Sequence, residues 1–392
     1  MDKKSNKMDK MNHGVRGLPL APGHGFALVR AAMGSTSIVA ARARPLNLPL
    51  RSPFGISGGA QASVENVLVE VELSDGTTGL GEGAPFPAYN GETQAHALSA
   101  LESLHRVAVG RDVAEWTEIG DSLASVARGP SGSAQAAIEM ACLDALCKVR
   151  GEPFWKFFGG NGHSIETDMT VTTGTAEQAG LDAVEIRRRG IRTIKVKVGG
   201  HGPQRDLERV RAILRAAPGA SLILDGNAAL PLPKALELAH GLAELGVVPA
   251  LVEQWLPKDD IEGMRTFAGE TGWLQAADES ASSAEDVRAL ARAEAVQVVN
   301  IKFMKRGVAE ALRIAETARE VGLQLMIGGN VESILAMSAS AGFAAGIGGF
   351  GFADLDTPFF LSESPFEGGY RVDGAMLSLA HSGAGHGVRL PA

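Results

Sequence analysis

The sequence predicts an α/β protein: a closed barrel of parallel strands joined by helices, preceded by a smaller α+β domain. Three observations carry that expectation. Short apolar runs each end in a charged residue: Leu222-Ile223-Leu224 runs into Asp225, Leu251-Val252 into Glu253, Leu274 to Ala277 into Asp278, and Val298 to Ile301 into Lys302. The spacing is regular, with steps of 28, 28, 25 and 24 residues counted from Lys197. The intervening segments carry helical periodicity, as in Arg205 to Leu214, with Leu207, Val210, Ile213 and Leu214. One strand, one helix and two short loops fill such a step. Repeated units of this kind give parallel strands with right-handed crossovers, and about eight of them close a barrel.

Strands are expected near 168–172, 193–198, 221–225, 250–253, 274–278, 297–302, 323–328 and 346–352. Among the helices, Ser283 is an N-cap candidate, because Glu285 and Asp286 follow it in the first turn. Leu232 to Leu245 is rich in Ala and Leu, and Ala309 to Val321 repeats Leu312, Ile314, Ala315 and Ala318.

The run Ile194-Lys195-Val196-Lys197-Val198 places two lysines on one face of a strand and the branched residues on the other. Two ammonium groups on one face repel, which predicts a lowered pKa for at least one of them and a lysine able to take a proton from carbon. In barrels of this type the chemistry sits at the C-terminal ends of the strands. Asp225, Glu253, Asp278 and Lys302 fall there, and Lys197 lies near its own strand end. Three carboxylates converging at one mouth repel unless a cation lies between them. Oxygen ligands without Cys or His select Mg²⁺, with Mn²⁺ or Ca²⁺ as alternatives. A bland reading, each acid capping the next helix, competes for any one of them but not for all three in consecutive units.

Over roughly residues 36–385 the chain resembles the enolase superfamily, in its muconate-lactonizing-enzyme subgroup. The resemblance rests on Lys195-Val196-Lys197, Asp225-Gly226-Asn227, Val252-Glu253-Gln254, Ala277-Asp278-Glu279-Ser280 and Asn300 to Lys305, in matching order and spacing. It implies a (β/α)7β TIM-like barrel with an α+β capping domain. It implies Mg²⁺ held by Asp225, Glu253 and Asp278, and a substrate carboxylate bound to that ion. It also implies Lys197 and Lys302 as acid–base catalysts on opposite faces of one carbon, with Lys195 as the neighbour that tunes Lys197. Lys305 is expected at the surface or supporting the site. Removing a proton α to a carboxylate creates an enediolate, whose charge a divalent ion stabilises.

Gly351 to Thr357 contains Asp354 and Asp356, acids at i and i+2 that share a face at the same mouth. This pair resembles the Asp-x-Asp element with which dipeptide epimerases bind a free amino terminus; a strand-end turn with a capping Asp is the alternative. Thr170 matches a substrate-contacting Thr of that group. The implied activity is epimerisation at the α-carbon of the C-terminal residue of a dipeptide. The alternatives are o-succinylbenzoate synthase, N-acylamino acid racemase or muconate cycloisomerase, and, of a different class, a barrel without catalysis. The chain departs from the Glu-specific pattern in Pro53 to Ala60, which holds no cation, leaving Arg51 as a substitute. It departs again at Asn330, expected to face the substrate side chain.

The expected boundaries are 1–33 for a disordered tail or upstream extension with Met33 near the domain start, 34–160 for the cap, 161–356 for the barrel, and 357–392 for a segment returning to the cap. The cap is expected to open with a strand from Val64 to Leu73, turn at Ser74-Asp75-Gly76, and restart at Thr77, with an apolar helix at Ala134 to Val149. Loops 54–60 and 83–92 are expected to close the mouth and exclude water. Cys142 and Cys147 lie five apart on one expected helix, which suits reduced thiols and a cytoplasmic setting. The net charge of −8 and the lack of a basic patch argue against nucleic acid. No stretch reads as a membrane span, and the nine histidines form no zinc pattern. A small-molecule substrate and a homo-oligomer are the expected partners.

Overall fold

The computed structural model describes residues 36–56 and 58–391. The expected tail at 1–33 lies outside the described residues. The cap begins with an antiparallel meander of β1 (Ile38–Ile56), β2 (Gly59–Leu73) and β3 (Thr78–Gly83). The turn between β2 and β3 falls where the sequence places it. Gly76 adopts φ 86°, which only glycine takes without strain, and its N–H donates to Leu73 at 2.9 Å. Sequence reading missed β1 altogether. Pro45, Pro49 and Pro53 interrupt it, and proline argues against a central strand. β1 tolerates them because it lies at the edge of its three-stranded sheet, with a pairing ladder only toward β2.

The cap's sheet meets its long helix backbone to backbone. Gly79, Gly81 and Gly83 all face Gly132–Arg150 from alternate positions of β3. A Cβ on these glycines would stand 2.0 Å from Ala141 O, 2.0 Å from Ala137 O and 2.5 Å from Ser133 O. Two residues of strand and four of helix advance by nearly the same distance, about 6–7 Å, so the contacts stay in step. With this sheet on one side and the Phe303–Glu320 helix packed on another, sixteen successive residues of the cap helix, from Gly132 to Cys147, are buried.

The barrel follows β4 (Ser164–Glu166). It comprises β5 (Met169–Val171), β6 (Thr193–Lys197), β7 (Ser221–Asp225), β8 (Leu251–Glu253), β9 (Gln275–Ala277), β10 (Val298–Ile301), β11 (Gln324–Ile327) and β12 (Phe350–Ala353). These eight strands run parallel in sequential order, and the Asp168 N–H bonds Ala353 O at 2.9 Å across the seam between the last and the first. A helix follows each of the first seven, so the architecture is the expected (β/α)7β barrel. Ser283 caps its helix by accepting from the Asp286 N–H. The last strand starts later than the expected 346–352. Residues up to Ile347 continue the helix Ile334–Ile347, and Gly348 and Gly349, both at positive φ, end it.

Interior side chains are layered. Ile223, Leu251, Ala276, Val298 and Met326 form an apolar plug inside the barrel. Two residues further along their strands, and so on the same face, come Asp225, Glu253, Asp278 and Asn300. The plug seals the barrel from below and leaves the polar layer at the C-terminal mouth.

Buried acids tie the cap to the barrel. The Phe303–Glu320 helix breaks at Arg306 and Gly307, and the Glu139 carboxylate accepts the Ala309 N–H at 2.7 Å where it resumes. Glu82 does the same for Ile334–Ile347, accepting from Ser333 N at 2.9 Å and Ala336 N at 3.2 Å. The C-terminal segment adds β13 (Glu367–Gly368), β14 (Arg371–Asp373), β15 (Met376–Ser378) and β16 (Val388–Arg389). It reaches the cap through His386, whose Nε2 lies 3.0 Å from Leu80 O. Among the described residues no helix is long and apolar enough to cross a membrane.

Gly81→Ala should destabilise the fold by about 3 kcal/mol, since its methyl has only backbone to displace; urea unfolding at neutral pH measures this, and an unchanged midpoint would refute the close contact. Burial pushes Glu139 up from 4.5 to about 8. A raised acid stabilises the fold fully below its unfolded value and loses that contribution as pH rises through its folded value. Wild-type unfolding free energy should therefore fall between pH 4.5 and about 8 more steeply than that of Glu139→Gln.

Candidate active site

The sequence-derived residues meet at the barrel mouth. Adjacent strands bring Lys197 level with Asp225, and Asp225 level with Glu253. Lys197 Nζ and Lys195 Nζ approach the same oxygen, Asp225 Oδ2, at 2.6 and 3.0 Å. Lys195 also lies 2.7 Å from Glu253 Oε2 and 2.6 Å from Asp354 Oδ2. The Glu253 contact is an ion pair that is not aligned as a hydrogen bond. On the far side, Lys302 Nζ lies 2.8 Å from Asp278 Oδ2 and Lys305 Nζ 2.9 Å from Asp278 Oδ1. β6 and β10 stand four places apart in the eight-strand order, so Lys197 and Lys302 face each other across the barrel.

Electrostatics at this mouth differ from the two-lysine argument. Burial alone pulls the Lys195 ammonium down, but Asp225, Asp354 and Glu253 outweigh it and hold the group well above its ordinary value. For Lys195 the expected lowering is therefore reversed, because three carboxylates surround it. Burial raises Asp225, yet Lys195 and Lys197 pull it down to about 2. Asp278 likewise falls below the usual range, with Lys302 and Lys305 outweighing its burial. Lys302 is held above its ordinary value by Asp278 and Glu253 against the opposing effect of burial.

Asp225, Glu253 and Asp278 are wholly buried and sit at the ends of consecutive strands. They offer oxygen donors alone, the chemistry that suits Mg²⁺. Asp225 Oδ1 accepts the Asn227 N–H at 3.0 Å, and Glu253 Oε1 accepts from Asn300 Nδ2 at 2.8 Å. Glu253 Oε2 has no hydrogen-bond partner among the described residues. A different trio, Asp168, Asp354 and Asp356, brings one oxygen from each residue within 4.8 Å of the other two. Asp356 Oδ2 accepts the Thr170 N–H at 2.6 Å, so Thr170 orients that carboxylate through its backbone.

The cap closes the mouth from above. Phe54 and Ile56 from the end of β1, together with Phe86 and Tyr89, share one cavity with Lys197, Lys302, Asn330 and Asp354. The Tyr89 hydroxyl lies 3.3 Å from Asp278 Oδ1, and Lys302 Nζ sits 4.8 Å from its ring centroid. Arg51, the candidate substitute cation, donates from Nε to Leu361 O at 2.8 Å and does not line this cavity. Asn330 does line it, with Nδ2 donating to Ala84 O at 2.8 Å.

Of the two positions expected for Lys305, at the surface or supporting the site, the structure shows the second. Its side chain is 3% exposed, and Nζ also donates to the carbonyls of Asp278, Ala281 and Asn300. Sequence reading assigned no role to Asn300 or Asp168. Strand parity held the signal for both, since Asn300 stands two residues before Lys302 and Asp168 two before Thr170.

Residues 38–159 match the mandelate racemase / muconate lactonizing enzyme N-terminal domain, and residues 178–392 match the enolase C-terminal domain-like family. An aromatic dipeptide epimerase from Herpetosiphon aurantiacus is 48% identical over 355 residues, covering 91% of this chain and 99% of that protein. An L-Ala-D/L-Glu epimerase from Thermotoga maritima is 38% identical over 326 residues, covering 83% of this chain and 93% of the relative. The crystal structure of a dipeptide epimerase from Enterococcus faecalis V583, complexed with Mg and the dipeptide L-Leu-L-Tyr, superposes with a TM-score of 0.85 at 31% identity, covering 90% of this chain and 99% of that one. A matching pair of domain families, a shared barrel and relatives aligned over nearly their full length lead to one conclusion: the chain belongs to the enolase superfamily, in its mandelate racemase / muconate lactonizing enzyme group.

Proposed function

We propose that this protein is a Mg²⁺-dependent dipeptide epimerase that inverts the α-carbon of the C-terminal residue by 1,1-proton transfer. The observation that carries the reading is the opposition of Lys197 and Lys302 across one enclosed cavity that also holds Asp354. One lysine removes the α-proton from its face and the other returns a proton to the opposite face, so the stereocentre inverts. The dipeptide epimerases among its relatives support the same chemistry.

Asp225, Glu253 and Asp278 would hold the ion, and Mn²⁺ would serve in its place. When bound, Mg²⁺ supplies positive charge to the substrate carboxylate as the α-carbon loses its proton. Lys195, spanning Asp225, Glu253 and Asp354, draws these carboxylates together and holds them in place. Asp354 and Asp356 receive the dipeptide's amino terminus, and Thr170 holds Asp356 toward it. The cap, drawn from residues 34–160 and 357–392, closes over the barrel of 161–356 and keeps water out. Its walls of Phe54, Ile56 and Phe86, with Arg51 tied elsewhere, favour an apolar or aromatic side chain over Glu. The two buried, unpaired cysteines fit a cytoplasmic enzyme. Its substrate is a small molecule, with no nucleic-acid or membrane partner, and we expect a homo-oligomer.

Proton NMR of a dipeptide panel in D₂O tests the assignment. Loss of the α-proton signal at the C-terminal residue, dependent on Mg²⁺ and stopped by a chelator, is the expected result. Exchange of N-acylated acids but of no free dipeptide would move the protein to the racemase or synthase branch. Lys302→Ala should cut epimerisation on the order of 10²–10⁴-fold, and wild-type turnover in that variant would remove Lys302 from the mechanism. Asp354→Asn should raise KM for a free dipeptide far more than it weakens an N-acylated analogue; equal effects would undo the amino-terminus assignment.

A further inference from the structure

Asp168 is buried at the seam between the last and the first barrel strands, where its N–H bonds Ala353 O. It immediately precedes β5, is 2% exposed, and both its carboxylate oxygens lack a hydrogen-bond partner among the described residues. It shares a strand face with Thr170, two residues on, and so points into the barrel. One of its oxygens lies within 4.8 Å of an oxygen of Asp354 and an oxygen of Asp356. Asp356 Oδ1 also has no partner, its Oδ2 being taken by the Thr170 N–H.

The nearby lysine does not resolve this. An ammonium group has three donors, and Lys195 Nζ already faces three carboxylates within 3.0 Å: Asp225, Glu253 and Asp354. With all three acids ionised, the trio of Asp168, Asp354 and Asp356 would call for a second cation. A primary ammonium with acceptors about 2.8 Å away at tetrahedral angles holds them roughly 4.6 Å apart, inside the observed bound.

The geometry points to Asp168 as the third acceptor of an ammonium-binding subsite shared with Asp354 and Asp356, which takes the substrate's α-ammonium group and, without substrate, a small primary ammonium ion. This deepens the dipeptide reading and rests on it for the identity of the substrate. Three acceptors match the three donors of a primary ammonium, so the subsite selects a free amino terminus against an N-alkylated or acylated one. The rival account is that Asp168 keeps a proton. Burial and the neighbouring Asp354 do push its carboxyl well above the usual range, and an arriving cation is what would reverse that. Asparagine separates the two accounts, because it mimics the neutral acid and cannot neutralise a cation.

Thermal unfolding of the Mg²⁺-loaded full chain in methylammonium chloride, against tetramethylammonium chloride at equal concentration, reads the subsite without turnover. Wild type should gain stability in methylammonium relative to tetramethylammonium, and Asp168→Asn should lose that difference. In steady state Asp168→Asn should raise KM for a free dipeptide on the order of tenfold to a hundredfold, with kcat changed much less. Asp168→Ser, smaller and also neutral, provides the same comparison should the Asn variant not fold. Equal behaviour of wild type in the two salts, or wild-type KM in both variants, would overturn the proposal. If no dipeptide is turned over yet methylammonium still discriminates wild type from Asp168→Asn, the cation subsite stands and the dipeptide reading falls.

Discussion

Four carboxylates, from Asp225, Glu253, Asp278 and Asp354, are buried at one end of the barrel and meet the ammonium groups of Lys195, Lys197, Lys302 and Lys305. That balance of charge in a low-dielectric interior is the constraint on which the rest of the structure depends. Buried carboxylates keep their charge only when paired, and breaking one pair exposes the others to repulsion. The apolar plug of Ile223, Leu251, Ala276, Val298 and Met326 keeps water from reaching the layer from below. The cap, with Tyr89 against Lys302 and Asp278, keeps it out from above.

The same constraint explains why the lysines are fastened as firmly as the acids. Lys195 bridges carboxylates from three strand ends, β7, β8 and β12, so it acts as an internal strut. Lys305 plays the equivalent part for Asp278 while also holding three backbone carbonyls. Lys197 and Lys302 each contact a single carboxylate and line the cavity, the arrangement expected of groups that move protons.

Cap and barrel are joined by buried acids acting on helix ends. Glu139 serves the restarted helix after Gly307, and Glu82 the start of Ile334–Ile347, each satisfying backbone N–H groups that a helix cannot satisfy itself. Because the second helix follows the loop carrying Asn330, the position of the cap also determines where the cavity wall stands. The glycine contact between β3 and Gly132–Arg150 sets the strand that carries Glu82 directly against that helix.

The period of strand and helix, and the parity of residues within each strand, are local properties, and they determined the barrel, its eight strands and the face on which Asp225, Glu253, Asp278 and the lysines lie. They failed where local signals misled. The prolines of β1 spoke against a strand that an edge position allows, and the glycines near 348 concealed where the last helix ends. Pairing across the barrel was decided only by the tertiary structure. Nothing local shows that Lys195 is shared by three acids, that Lys305 is buried, that Arg51 is spent on Leu361 O, or that Asp168 faces Asp354 and Asp356. A side chain's face follows from its own backbone, whereas its partner, and therefore its charge state, depends on which distant strand closes beside it.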